Sequence, residues 1–141
     1  LIISYSYSRP SVYYYPIVIG CQPKGYPTYP QFTICVENGT NSAPSNNTVL
    51  RNGHVTGLTI TPRLDSGIVA IAGNKAYSDG ELIGTLTVGT VANTYNIYIG
   101  AINDCSNIVA FFNGTIESCA IYNATLTSTQ IASLSTAMAA L

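Results

Sequence analysis

With 141 residues, the chain can bury a core without disulfides or metals. Hydrophobic residues make up 47% and charged residues only 8%, so hydroxyls and amides rather than charge keep the surface wet. The net charge is −1, and the cations Arg9, Lys24, Arg51, Arg63 and Lys75 are scattered; this excludes a basic nucleic-acid face, and no apolar run reaches the ~20 residues of a membrane span.

The first residues, Leu1-Ile2-Ile3, lack the basic start and long apolar stretch of a signal peptide. Ser4-Tyr5-Ser6-Tyr7-Ser8 alternates small polar with aromatic residues, the period of a strand, and Arg9-Pro10 interrupts it. Residues 12–19 read as a strand bent by Pro16, which lacks a ladder donor. Residues 20–30 carry Pro23, Pro27 and Pro30 with Gly20 and Gly25, and read as an extended loop. Residues 31–36 read as a strand, and 37–54, rich in Asn, Gly and Ser, as a long loop. Strands are then expected over 55–61, 67–72, 82–88, 95–100, 108–112 and 115–122, the spacing of an all-β fold. Ser78-Asp79-Gly80-Glu81 and Asn113-Gly114 have the chemistry of tight turns. Thr127 and Gln130 form a capping-box pattern, after which Ile131, Leu134, Met138 and Leu141 share one helical face. The chain thus divides into 1–30, a Tyr/Pro-rich arm or first strands, and 31–141, a β domain closed by a short amphipathic helix.

The most informative stretch is 96–134. It reads Asn96-Ile97-Tyr98-Ile99-Gly100, then Phe111-Phe112-Asn113-Gly114-Thr115-Ile116, then Ile121-Tyr122-Asn123, then Leu126-Thr127 and Gln130-Ile131-Ala132-Ser133-Leu134. This resembles the closing segment of concanavalin A-like, laminin-G-like jelly-roll domains. The resemblance implies an all-β antiparallel jelly-roll sandwich with one short C-terminal amphipathic helix. Residues 71–74 lack the Tyr of the family's hairpin, and 1–54 match nothing in it. The low charge, the Asn/Thr/Ala-rich style and the closing helix are similar to phage-encoded relatives. Many laminin-G-like domains bind calcium through loop carboxylates, so weak calcium binding near Asp65 or Asp104 is compatible with the resemblance.

Catalytic chemistry finds little to work with. The acids are Glu37, Asp65, Asp79, Glu81, Asp104 and Glu117, and the Glu-x-Asp-x-x-Glu run of glycosidases on this fold is missing. Asp79 and Glu81 share a face by spacing but flank Gly80, which reads as a solvated hairpin tip. His54 is the lone histidine and has no nucleophile elbow beside it. Cys21, Cys35, Cys105 and Cys119 lack metal-site spacing. Four cysteines allow three connectivities; in an exported chain 21–35 and 105–119 are the suggested bridges, and in a phage protein assembled in the cytosol all four stay reduced. No enzymatic activity and no cofactor are expected.

Seven of the 11 tyrosines lie near the start: Tyr5, Tyr7, Tyr13, Tyr14, Tyr15, Tyr26 and Tyr29. Tyrosine joins apolar area to a hydroxyl at low entropic cost, so these residues are candidates for an interface. The functional expectation is a non-enzymatic virion surface protein: a capsid decoration, head-fibre or tail-fibre module. Its expected partners are virion or capsid proteins and sister subunits in a homo-oligomer, with cell-surface glycans or receptors as ligands. The alternative is a secreted or cell-surface carbohydrate-binding, lectin-like domain.

Overall fold

A computed structural model describes residues 1–7, 17–21, 32–37, 47–52, 57–61, 64–89, 96–104, 107–109 and 111–141. In chain order they form β1 (Ile2–Tyr7), β2 (Ile17–Cys21), β3 (Phe32–Glu37), β4 (Asn47–Asn52), β5 (Leu58–Ile60) and β6 (Ser66–Ala72). There follow β7 (Lys75–Ser78), β8 (Glu81–Thr85), β9 (Tyr98–Ile99), β10 (Ile102–Asp104), β11 (Asn107–Val109), β12 (Gly114–Ala120) and the helix α1 (Ser128–Met138). The described chain is mainly β, with two antiparallel sheets and one short C-terminal helix, as its composition and periodicity lead one to expect. One five-stranded sheet has the order β12-β1-β6-β7-β8 and the other β5-β4-β3-β2-β9; β10 and β11 form a separate ladder.

The sheets pack face to face. Ile3, Tyr5, Val69, Ile71 and Ala76 of the first sheet join Val18, Ile19, Ile34 and Leu50 of the second in one buried cluster. Their ends correspond: a Cβ on Gly84 of β8 would lie 2.7 Å from Leu58 of β5, and one on Gly100 beside β9 would lie 3.8 Å from Ile116 of β12. The first sheet is buried on its other face too, where Ile2, Ile68, Ala70, Ala72 and Tyr77 meet Ile131 of α1. This double burial explains why 68–72 is apolar throughout rather than alternating.

Several expectations need correction. The long loop expected over 37–54 contains β4. Its Asn47 and Asn52 look like loop residues, yet Thr48 and Leu50 are fully buried, and the Thr48 hydroxyl accepts from Leu64 N at 2.9 Å. β7, absent from the sequence reading, lies between two hairpin turns. Gly73, at φ +58°, turns β6 into β7, and Asp79 and Gly80, at φ +49° and +89°, turn β7 into β8. Positive φ at both central residues of the second turn marks the type I′ hairpin that Asp-Gly favours. β2 runs through Cys21 into the expected Pro-rich loop, β8 ends at Thr85, and β10 lies in the polar loop expected after Gly100.

Gly114 makes no tight turn. It opens β12 opposite Tyr7, and a Cβ there would strike the Ser6 carbonyl oxygen and the Phe112 ring. The helix start follows the expectation: Thr127 is the N-cap, Gln130 N donates to its hydroxyl at 3.3 Å, and Thr127 N donates to Gln130 Oε1 at 2.8 Å. Ile131 is fully buried and Leu134 and Met138 pack behind it, but Leu141, past the helix, is 93% exposed. No helix among the described residues is long and apolar enough to cross a membrane.

Candidate functional site

Tyr5 is buried between the sheets, not displayed on a surface. Its hydroxyl donates to Leu64 O at 3.0 Å, and its ring meets Phe112 edge to face at 5.8 Å. Tyr7 pairs with Gly114 on the ladder, with its side chain outside the described ones. Tyr13, Tyr14, Tyr15, Tyr26, Tyr29, His54 and Cys105 lie outside the described residues.

The β2–β3 register separates Cys21 from Cys35. Cys21 faces Phe32 and Cys35 faces Ile17, so the two cysteines stand three ladder positions apart. The side chains of Cys21 and Cys35, and with them the suggested 21–35 bridge, lie outside the described ones. Cys119 carries a free thiol opposite Ile3, and burial pushes its pKa up.

Two of the described acids, Asp79 and Glu117, act structurally. Asp79 accepts from Ile68 N at 2.8 Å, tying the β7–β8 turn to the start of β6. Gly67 makes room for that carboxylate, since a Cβ there would lie 2.8 Å from Asp79 Oδ1. Asp79 is thus occupied by the backbone rather than poised against Glu81. Glu117 accepts from the Ser4 hydroxyl at 2.7 Å. No group of three or more metal-ligating side chains occurs among the described residues.

The surface feature that emerges is apolar and lies beside β9. Segment 96–113 contains a single charged residue, Asp104. Within it Ile97, Ile99, Ile108 and Phe111 are 45%, 56%, 51% and 67% exposed. Two backbone bonds assemble this region: Gly100 N donates to Val18 O, and Phe112 N donates to Gly100 O, both at 2.8 Å. Gly100, at φ +76°, makes the bend between them. Ile99 pairs with the fully buried Ile19, so position in the sheet and not residue type leaves it uncovered: β9 is outermost and two residues long. Alternating Ile97-Tyr98-Ile99 reads as an ordinary half-buried strand, which is why sequence reasoning missed the patch. The lack of charge across 96–103 was the available signal.

A concavity of about 320 Å³ lies between the 122–126 segment and α1, lined by Tyr122, Leu126, Thr129, Gln130, Ser133 and Leu134. Its lining bears an aromatic ring, hydroxyls and an amide, and no charge.

No known protein family, curated protein or solved structure matches the chain.

Proposed function

We propose that the chain is a non-enzymatic structural module of a virion surface, of the capsid-decoration, head-fibre or tail-fibre kind, that packs its uncharged surface against sister subunits or coat proteins. The observation that carries this reading is the exposure of Ile97, Ile99, Ile108 and Phe111 within one nearly uncharged segment at and after β9. Burying such side chains gains roughly 1.5–3 kcal/mol each when coverage is complete. A nearly uncharged surround adds little desolvation cost to the contact. In this reading the stacked sheets are a concanavalin A-like jelly roll. Three features support that: β1 and β12 lie side by side, the chain passes repeatedly between the sheets, and a capped helix closes it.

The test compares the parent chain with the double variant Ile99→Asp, Phe111→Asp. Light scattering should show parent mass rising with concentration, and the chain should appear in the protein inventory of purified particles. The double variant should remain folded and monomeric. A parent that stays monomeric and is missing from such particles sinks the reading.

The concavity at Tyr122 favours a second reading, a secreted or cell-surface carbohydrate-binding domain. A neutral sugar ring stacks on an aromatic face and bonds to surrounding hydroxyls and amides. Glycan-array binding that is abolished by Tyr122→Ala would favour it over the virion reading.

A further inference from the structure

Among the described residues, the outer strands of the two sheets are β12, β8, β5 and β9. In a chain with 47% hydrophobic and 8% charged residues, an open strand edge is a template for joining another copy. Two of these edges are very short: β5 has three residues and β9 two. The two longer edges share another feature. On β12, Ile116 faces Tyr5 and Ser118 faces Ser4, which leaves Glu117 as an extra residue without a ladder partner. On β8, Gly84 faces Ala76 and Leu82 faces Tyr77, which leaves Ile83 as the extra residue. Each long edge therefore carries a bulge near its middle, and each carries a glutamate, Glu117 at one bulge and Glu81 at the start of the other strand.

The inner strand β2 also carries a bulge, at Val18, so what sets the β12 and β8 bulges apart is their place on outer strands. On β12 the residues on either side of the bulge keep their proper faces: Ile116 and Cys119 pack toward the sheet–sheet core, and Ala120 packs toward the helix. Removing Glu117 would leave a straight strand with the same faces, at the cost of the bond its carboxylate accepts from the buried Ser4 hydroxyl. The faces would likewise be kept on β8 without Ile83. What each bulge does change is the row of outward N–H and C=O groups, which it breaks and twists.

We infer that the Glu117 and Ile83 bulges are edge guards that prevent β12 and β8 from adding a strand of a second copy, so that association is confined to side-chain surfaces. This is independent of whether the β9 patch binds a virion partner.

The experiment deletes Glu117 and follows mass by light scattering and fibre formation by thioflavin T. The expected result is growth with concentration and a rise in thioflavin signal, both suppressed by adding Thr115→Lys on the same edge. A deletion chain that folds and matches the parent in mass and thioflavin signal overturns the inference. Amide exchange on the intact parent, whose folding is not in question, gives a second reading. Outward amides of 114–120 and 81–85 should exchange as fast at high concentration as at low. Protection there that grows with concentration overturns the inference, even where the deletion chain fails to fold.

Discussion

The two faces of the β12-β1-β6-β7-β8 sheet are both buried, but by different means. Toward the second sheet stand Ile3, Tyr5, Val69 and Ile71, interlocked with Val18, Ile34 and Leu50. Toward the helix the sheet offers smaller residues, Ala70 and Ala72, beside Ile2, Ile68 and Tyr77. α1 inserts one fully buried side chain, Ile131, and its backbone comes close at Gly80, where a Cβ would lie 3.1 Å from Ala132 Cα. The first core joins strands far apart in sequence and is what makes the molecule one unit. The second is a lid, held by one anchor, a flanking rim and a cap.

The largest expected effect tests that division. Ile34→Ala should cost about 2–5 kcal/mol and lower the denaturant midpoint of the whole chain in one transition. Ile131→Ala should fall at the lower end of the same range, because the lid can shift into the space left behind. Its mark should be local, with amides of 128–138 exchanging before those of β1 and β6. If Ile131→Ala lowers the midpoint as far as Ile34→Ala does, and all amides open together, the two layers are one cooperative unit. A smaller effect sharpens the picture of the lid's start. Thr127→Ala removes the side-chain arm of the capping box, leaving the bond from the residue 127 backbone N–H to Gln130 Oε1, and should cost about 1 kcal/mol, read as a fall in melting temperature.

The smallest effect is alkaline. Burial raises the Cys119 thiol pKa in the folded chain above its unfolded value. The neutral thiol's contribution is therefore fully present below the ordinary thiol pKa and is lost as pH rises through the raised folded value. The melting temperature of the parent should decline relative to Cys119→Ala in that alkaline window, and the difference should be constant below it. A difference that does not change with pH would place the thiol in solvent.

Legibility followed the range of the interactions. The helix cap was readable because Thr127 and Gln130 are three residues apart and their bonds are local. The Asp79-Gly80 turn was readable for the same reason, since its two residues carry the backbone angles themselves. β4 was hidden because its ends are asparagines, and its strand character comes from pairing with β3 and β5. The role of Gly114 was hidden because the atoms that exclude a side chain there, the Ser6 carbonyl and the Phe112 ring, come from the neighbouring strand and from a packed aromatic. Tyr5 looked like surface because alternation does not say which phase faces inward.

The sequence by itself determined a nearly uncharged β-rich chain with a capped terminal helix, because composition, period-two alternation and capping are properties of neighbouring residues. Only the tertiary structure decided which apolar residues remain in contact with water. Ile19 and Ile99 are the same residue type on paired strands, yet one is fully buried and the other 56% exposed. Burial depends on what lies over a side chain, and at the edge of a sheet nothing in the local sequence supplies that cover.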